Sequence, residues 1–154
     1  MGKYEDLLIE YDSVEVVETD IMPDNLPGLW LGDMILMKRN LPESKKTEVL
    51  AEELSHHKLT YGNITNQSYF NNRKFENYAR RYGIEMLIPI NKIIEAYKQG
   101  IHNLYELANF FEVTEGFVLD CIEHYKRKYG LKTLCGDYLI EFEPLRVFEI
   151  KNIL

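Results

Sequence analysis

The sequence predicts an α+β fold. Three observations carry that reading: an apolar alternation near the N-terminus with a Gly32-Asp33 break between two apolar runs, two long amphipathic helical patterns in mid-chain, and helices and strands mixed without regular alternation. The expected architecture is a small antiparallel or mixed N-terminal sheet packed on two helices, followed by a C-terminal helix-turn-helix-like region. The expected division is a core over 1–100 and that helical region, with short terminal strands, over 101–154, the two together forming one compact unit.

Each element has a local reason. Residues 3–11 show the spacing of a short amphipathic helix. Val14, Val16 and Val17 suggest a strand with Glu15 and Glu18 pointing outward. Residues 21–27 hold Pro23, Pro27 and little periodicity, and are expected to be loop. Gly32-Asp33 separates Gly28–Leu31 from Met34–Met37, as in a hairpin. Pro42-Glu43-Ser44 opens a helix to about Lys58, and Tyr61-Gly62-Asn63 should end it before a polar loop, 65–72. A second long helix is expected from about Asn72 to Leu87, with Phe75, Ala79, Tyr82 and Met86 in one stripe. Pro89 opens a shorter helix that Gly100 closes. Two more helices are expected within 103–129, the second capped by Thr114. Residues 138–142 and 147–150 read as two strands across Pro144.

Composition narrows the function classes. The 154 residues carry a formal charge of −7, which gives no general electrostatic help in binding a polyanion. The compact basic run Lys126-Arg127-Lys128, like Arg80-Arg81, is expected to be a solvated helix face. Cys121 and Cys135 form no CxxC pair, so no structural zinc site is indicated. Without a secretory signal pattern or a long apolar run, a cytoplasmic location and no membrane association are expected.

The chemistry concentrates in Ala51-Glu52-Glu53-Leu54-Ser55-His56-His57. Residues four apart share a helix face, so Glu52 and His56 can hold one cation from successive turns. Glu53 lies about 100° round from Glu52, an offset that suits a general base beside such an ion. Glu53 and His57 are also four apart, and the helix alone leaves both registers open. Glu76, on the next helix, would face His56 if the two helices pack antiparallel.

The run 49–56 resembles the active-site helix of the ImmA/IrrE family, usually an apolar run ending in H-E-x-G-H. Glu76-Asn77-Tyr78-Ala79-Arg80-Arg81-Tyr82-Gly83 through Pro89 resembles that family's second helix, and Leu26-Pro27-Gly28-Leu29-Trp30 with Ile35-Leu36-Met37 resembles its hairpin. Tyr105–Glu115 and Tyr125–Gly130 are similar to the short prophage-encoded versions. The resemblance implies a zincin-like site with Glu52, His56 and Glu76 as metal ligands and Glu53 as general base. It implies zinc, with manganese as the alternative, and a metallo-endopeptidase that cleaves a helix-turn-helix repressor of a phage or mobile element. The sequence departs from the pattern at Glu52, where histidine is expected, at Ser55 for glycine, and at His57. Two carboxylates and one imidazole make a harder ligand set that suits zinc less and manganese more. A non-catalytic binding protein that keeps the fold and sequesters the repressor is the rival reading.

Leu107, Ala108, Phe111, Val113 and Val118 have helix-turn-helix spacing. The second helix nevertheless begins Thr114-Glu115-Gly116-Phe117-Val118-Leu119-Asp120, without the basic or amide side chains that read bases. Direct nucleic-acid binding is therefore not expected, and packing or protein contact is.

Overall fold

The computed structural model describes residues 2–23, 25–60 and 69–150, with the side chains of 59, 60 and 69–76 outside the description. The expected stop at Tyr61-Gly62-Asn63 and residues 65–68 of the expected 65–72 loop also lie outside the described residues, whereas 69–72 are helical rather than loop. The chain forms two compact units, Met1–Leu87 and Ile88–Leu154. The α+β class and the mixed N-terminal sheet are as expected. Among the described residues, no helix is long and apolar enough to cross a membrane.

In the first unit, α1 (Lys3–Glu10) buries Tyr4 and Leu7. Three strands follow: β1 (Glu15–Thr19), β2 (Gly28–Trp30) and β3 (Met34–Lys38). Their order is β1-β3-β2, parallel between β1 and β3 and antiparallel between β2 and β3. The Gly32-Asp33 hairpin is thus present, and Gly32 adopts φ +99°, a conformation glycine takes without a Cβ penalty. Central β3 alternates, burying Ile35 and Met37 while its other residues stay half-exposed, the period of a one-faced strand. Glu18 does not simply point outward: it accepts from Tyr4 Oη at 2.8 Å and Lys46 Nζ at 2.9 Å.

Two helices complete the unit, α2 (Glu43–Thr60) and α3 (Tyr69–Leu87). Helix α2 packs on α1, β2, β3 and α3. Its buried residues, among them Leu50, Ala51, Leu54 and Ser55, occupy most of its circumference, as a helix enclosed on several sides requires. Helix α3 starts three residues before the expected Asn72. It approaches α2 through small residues: a Cβ on Gly83 would lie 3.4 Å from the Ala51 carbonyl and the Glu52 nitrogen. With Gly83 at that level, a parallel pairing would ask the link from residue 60 to residue 69 to climb about 34 Å along the helix axis. Nine peptide units reach at most about 32 Å, so the helices run antiparallel.

The second unit corrects the expectation for the C-terminus. Helices α4 (Ile90–Lys98), α5 (Leu104–Phe111) and α6 (Glu115–Tyr129) lead into a three-stranded antiparallel sheet of β4 (Lys132–Cys135), β5 (Tyr138–Phe142) and β6 (Leu145–Glu149), ordered β4-β5-β6. The region is therefore not a helix-turn-helix module with two trailing strands. Thr114 does cap α6, accepting from Phe117 N at 3.1 Å, and Glu112 makes the left-handed turn between α5 and α6. The stripe Val118, Cys121 and Tyr125 of α6 is buried, and α6 packs on β4 and β5. Its apolar face thus covers a sheet. Strand β4 has no apolar–polar alternation in its sequence to announce it, because Leu134 lies on the exposed face while Thr133 and Cys135 are half-buried. The basic run is ion-paired at the surface, Lys126 with Glu143 and Arg127 with Glu123.

Candidate metal centre

Helix α2 sorts the candidate residues by angle. At about 100° per residue, Ala51 and Ser55 share one side, Glu52 and His56 lie about 100° and 140° round from Ala51, and Glu53 and His57 lie at about 200° and 240°. The neighbours assign these directions. The Ala51 side meets α3 at Gly83. The Glu53 side meets β2: a Cβ on Gly28 would lie 2.5 Å from Val49 Cγ1 and 3.4 Å from Glu53 Cγ. One turn on, the His57 ring meets the Trp30 ring edge-on, with centroids 4.8 Å apart. Val49, Glu53 and His57 therefore line the face along β2. Glu52 and His56 occupy the sector between α3 and β2. His56 is 9% exposed, and Glu52 and Glu53 are half-buried.

Glu76 belongs to α3, three residues before buried Ala79 and seven before Gly83, a spacing that keeps one helix face. Its side chain lies outside the described residues. Among the described residues, no three His, Cys, Asp or Glu side chains gather into a group able to hold an ion.

Two local features explain the unusual residues of this helix. Ser55, fully buried on the side that meets α3, donates its hydroxyl to Ala51 O at 2.7 Å. That bond satisfies the polar group inside its own helix, so a small polar residue fits where the resembled pattern has glycine. Glu48 is buried and lies 3.6 Å from Lys45 Nζ. It stands one turn before Glu52, and nothing in the sequence separates it from an ordinary surface acid. The Trp30–His57 contact was equally illegible, because it joins a strand to a helix.

The best-defined electrostatic group lies apart from this helix sector. Hydrogen bonding by Lys46 holds the Glu18 carboxyl below the usual carboxylate range, outweighing burial, and Tyr4 adds to the effect. Burial and the adjacent Glu18 carboxylate push the Tyr4 phenol up.

Over residues 9–122 the chain matches the peptidase family described as IrrE N-terminal-like domain. The chain belongs to that family. Membership implies a metal ion, with zinc the expected one. The α2 donors fit such an ion in type: a carboxylate and an imidazole one turn apart, partly shielded from water. No curated protein sequence matches the chain. A solved structure described as a Mycobacterium tuberculosis transcriptional regulator is similar in fold, with a TM-score of 0.62 at 14% identity. The similarity covers 79% of this chain and 41% of that one, so this IrrE-like chain spans less than half of the regulator's length.

Proposed function

We propose that the chain is a metal-dependent endopeptidase that cleaves a helix-turn-helix repressor of a phage or mobile element. The observation that carries the reading is the sorting of α2: Glu52 and His56 share the sector between α3 and β2, while Glu53 stands beside edge strand β2. Glu52, His56 and Glu76 would hold the ion, zinc or manganese. When bound, such an ion polarises a scissile carbonyl and makes water more acidic. Glu53 then accepts the proton from water on its carboxylate and passes it to the departing amine. An extended substrate segment would add to the open edge of β2, the strand packed against Glu53. This arrangement favours the Glu52/His56 register, because the Glu53/His57 side is already occupied by β2.

Glu52 sustains one rival. A second carboxylate in place of histidine adds negative charge and makes a bound water less acidic, which suits a protein that keeps the fold and sequesters the repressor without cutting it. Purified protein incubated with a repressor encoded nearby, with and without chelator, separates the two. The endopeptidase reading expects stoichiometric metal and chelator-sensitive cleavage. Glu53→Gln should slow cleavage by about 10²–10⁴-fold at unchanged metal content, and His56→Ala should lose the metal. Full relief of repression by Glu53→Gln would establish sequestration instead.

A further inference from the structure

Among the described residues, strand β6 is an open edge of the second unit's sheet, since within the order β4-β5-β6 it pairs only with β5. The register decides which of its backbone groups face outward. Ile150 N donates to Asp137 O at 2.7 Å, and these two residues are opposed when the Tyr138↔Glu149 register is extended by one. Hydrogen-bonded and non-hydrogen-bonded pairs alternate along an antiparallel ladder. Phe148 and Arg146 therefore turn their N–H and C=O groups toward β5. Leu145, Val147 and Glu149 turn theirs away from the sheet.

A groove of about 310 Å³ is lined by residues 145–148 on one side and by Ile93, Ile101 and Leu107 on the other. Side chains alternate faces along a strand, so four consecutive residues line one groove only where it follows the strand's edge. The groove combines an open backbone edge with an opposing apolar wall from α4, α5 and the turn between them. Its charge is one-sided as well. Among the described residues, Arg146 and His102 line it and no acidic residue does, in a chain of formal charge −7. Glu141 pairs with Arg146 at Nε, 3.3 Å away, and a guanidinium offers five donors.

We propose that this edge docks an extended peptide of a partner protein, which adds as a fourth strand beside β6. The peptide would set a large aliphatic side chain in the groove and carry acidic residues toward Arg146 and His102. This inference is independent of the peptidase reading. The test uses the full chain with ¹³C-labelled isoleucine methyls and the blocked peptide Ser-Glu-Val-Leu-Val-Glu-Ser. Saturable shifts are expected at Ile93 and Ile101, with Ile35 and Ile84 of the first unit unmoved. Replacing both peptide glutamates by lysine should weaken binding, and salt should narrow the difference. Because strand amides alternate in direction, N-methylation of either the leucine or the following valine should weaken binding about tenfold, and N-methylation of the other should not. The proposal is overturned if Ile93 and Ile101 do not respond or if both N-methylated peptides bind like the parent. It is also overturned if sedimentation shows a dimer that the peptide does not dissociate, because a second copy would then hold the edge.

Discussion

Gly28→Ala tests how closely β2 is pressed onto the helix that carries Glu53. The new Cβ would lie 2.5 Å from Val49 Cγ1, about 1 Å or more inside an optimal carbon–carbon contact. Val49 cannot simply swing aside: it is buried, and a β-branched side chain in a helix has one strongly preferred rotamer. The strand must then lift from α2. Overpacking of this kind costs about 1–3 kcal/mol. Replacing a strand glycine recovers about 0.5–1 kcal/mol through lower unfolded-state entropy. The net expectation is a loss of about 1–2 kcal/mol. Trp30, the single tryptophan, lies two residues away on β2 and reports the first unit's unfolding by fluorescence. With a urea slope of about 1–3 kcal/mol/M, the midpoint should fall by about 0.5–1 M. Val49→Ala opens the space that the added methyl needs, so the double variant should be more stable than the sum of the singles by about 1 kcal/mol. A neutral or stabilising Gly28→Ala with no coupling to Val49 would refute the close contact, and with it the placement of Glu53 against β2.

Glu18→Gln should destabilise the first unit by about 1 kcal/mol at neutral pH, the scale of a partly solvated charged hydrogen bond. Because the folded-state pKa of Glu18 is lowered, this contribution is fully present above the unfolded carboxyl pKa of about 4.3 and is lost as pH falls through the lower folded value. Urea midpoints of both proteins should therefore converge in acid, and a difference that widens there would contradict the assignment. Tyr125→Phe removes a buried hydroxyl that donates to Ile88 O at 2.7 Å, and should cost the second unit about 1–2 kcal/mol in thermal unfolding by circular dichroism. Thr114→Ala removes the α6 cap to Phe117 N and should cost about 1 kcal/mol; an unchanged melting temperature would mean that the cap contributes nothing.

The sequence by itself determined the elements governed by local rules. The 3.6-residue period placed α2, α3 and α4 to within about three residues, because amphipathic spacing is a property of neighbours along the chain. Gly32-Asp33 placed the hairpin, Thr114 placed the start of α6, and the family-like runs at 49–56 and 76–89 placed the candidate site on two adjacent helices. Tertiary structure decided whatever depends on residues far apart in sequence. The sequence left two registers open on α2, and the contacts of Gly28 and Trp30 with Val49, Glu53 and His57 give the helix its direction. Glu18 read as an outward acid until α1 and α2 brought Tyr4 and Lys46 to it. The spacing of 107–118 suits a helix-turn-helix unit equally well, and only the pairing of β4 with β5 shows that α6 covers a sheet. Periodicity tells which face of a helix is buried; what buries it is settled by the partner that arrives from elsewhere in the chain.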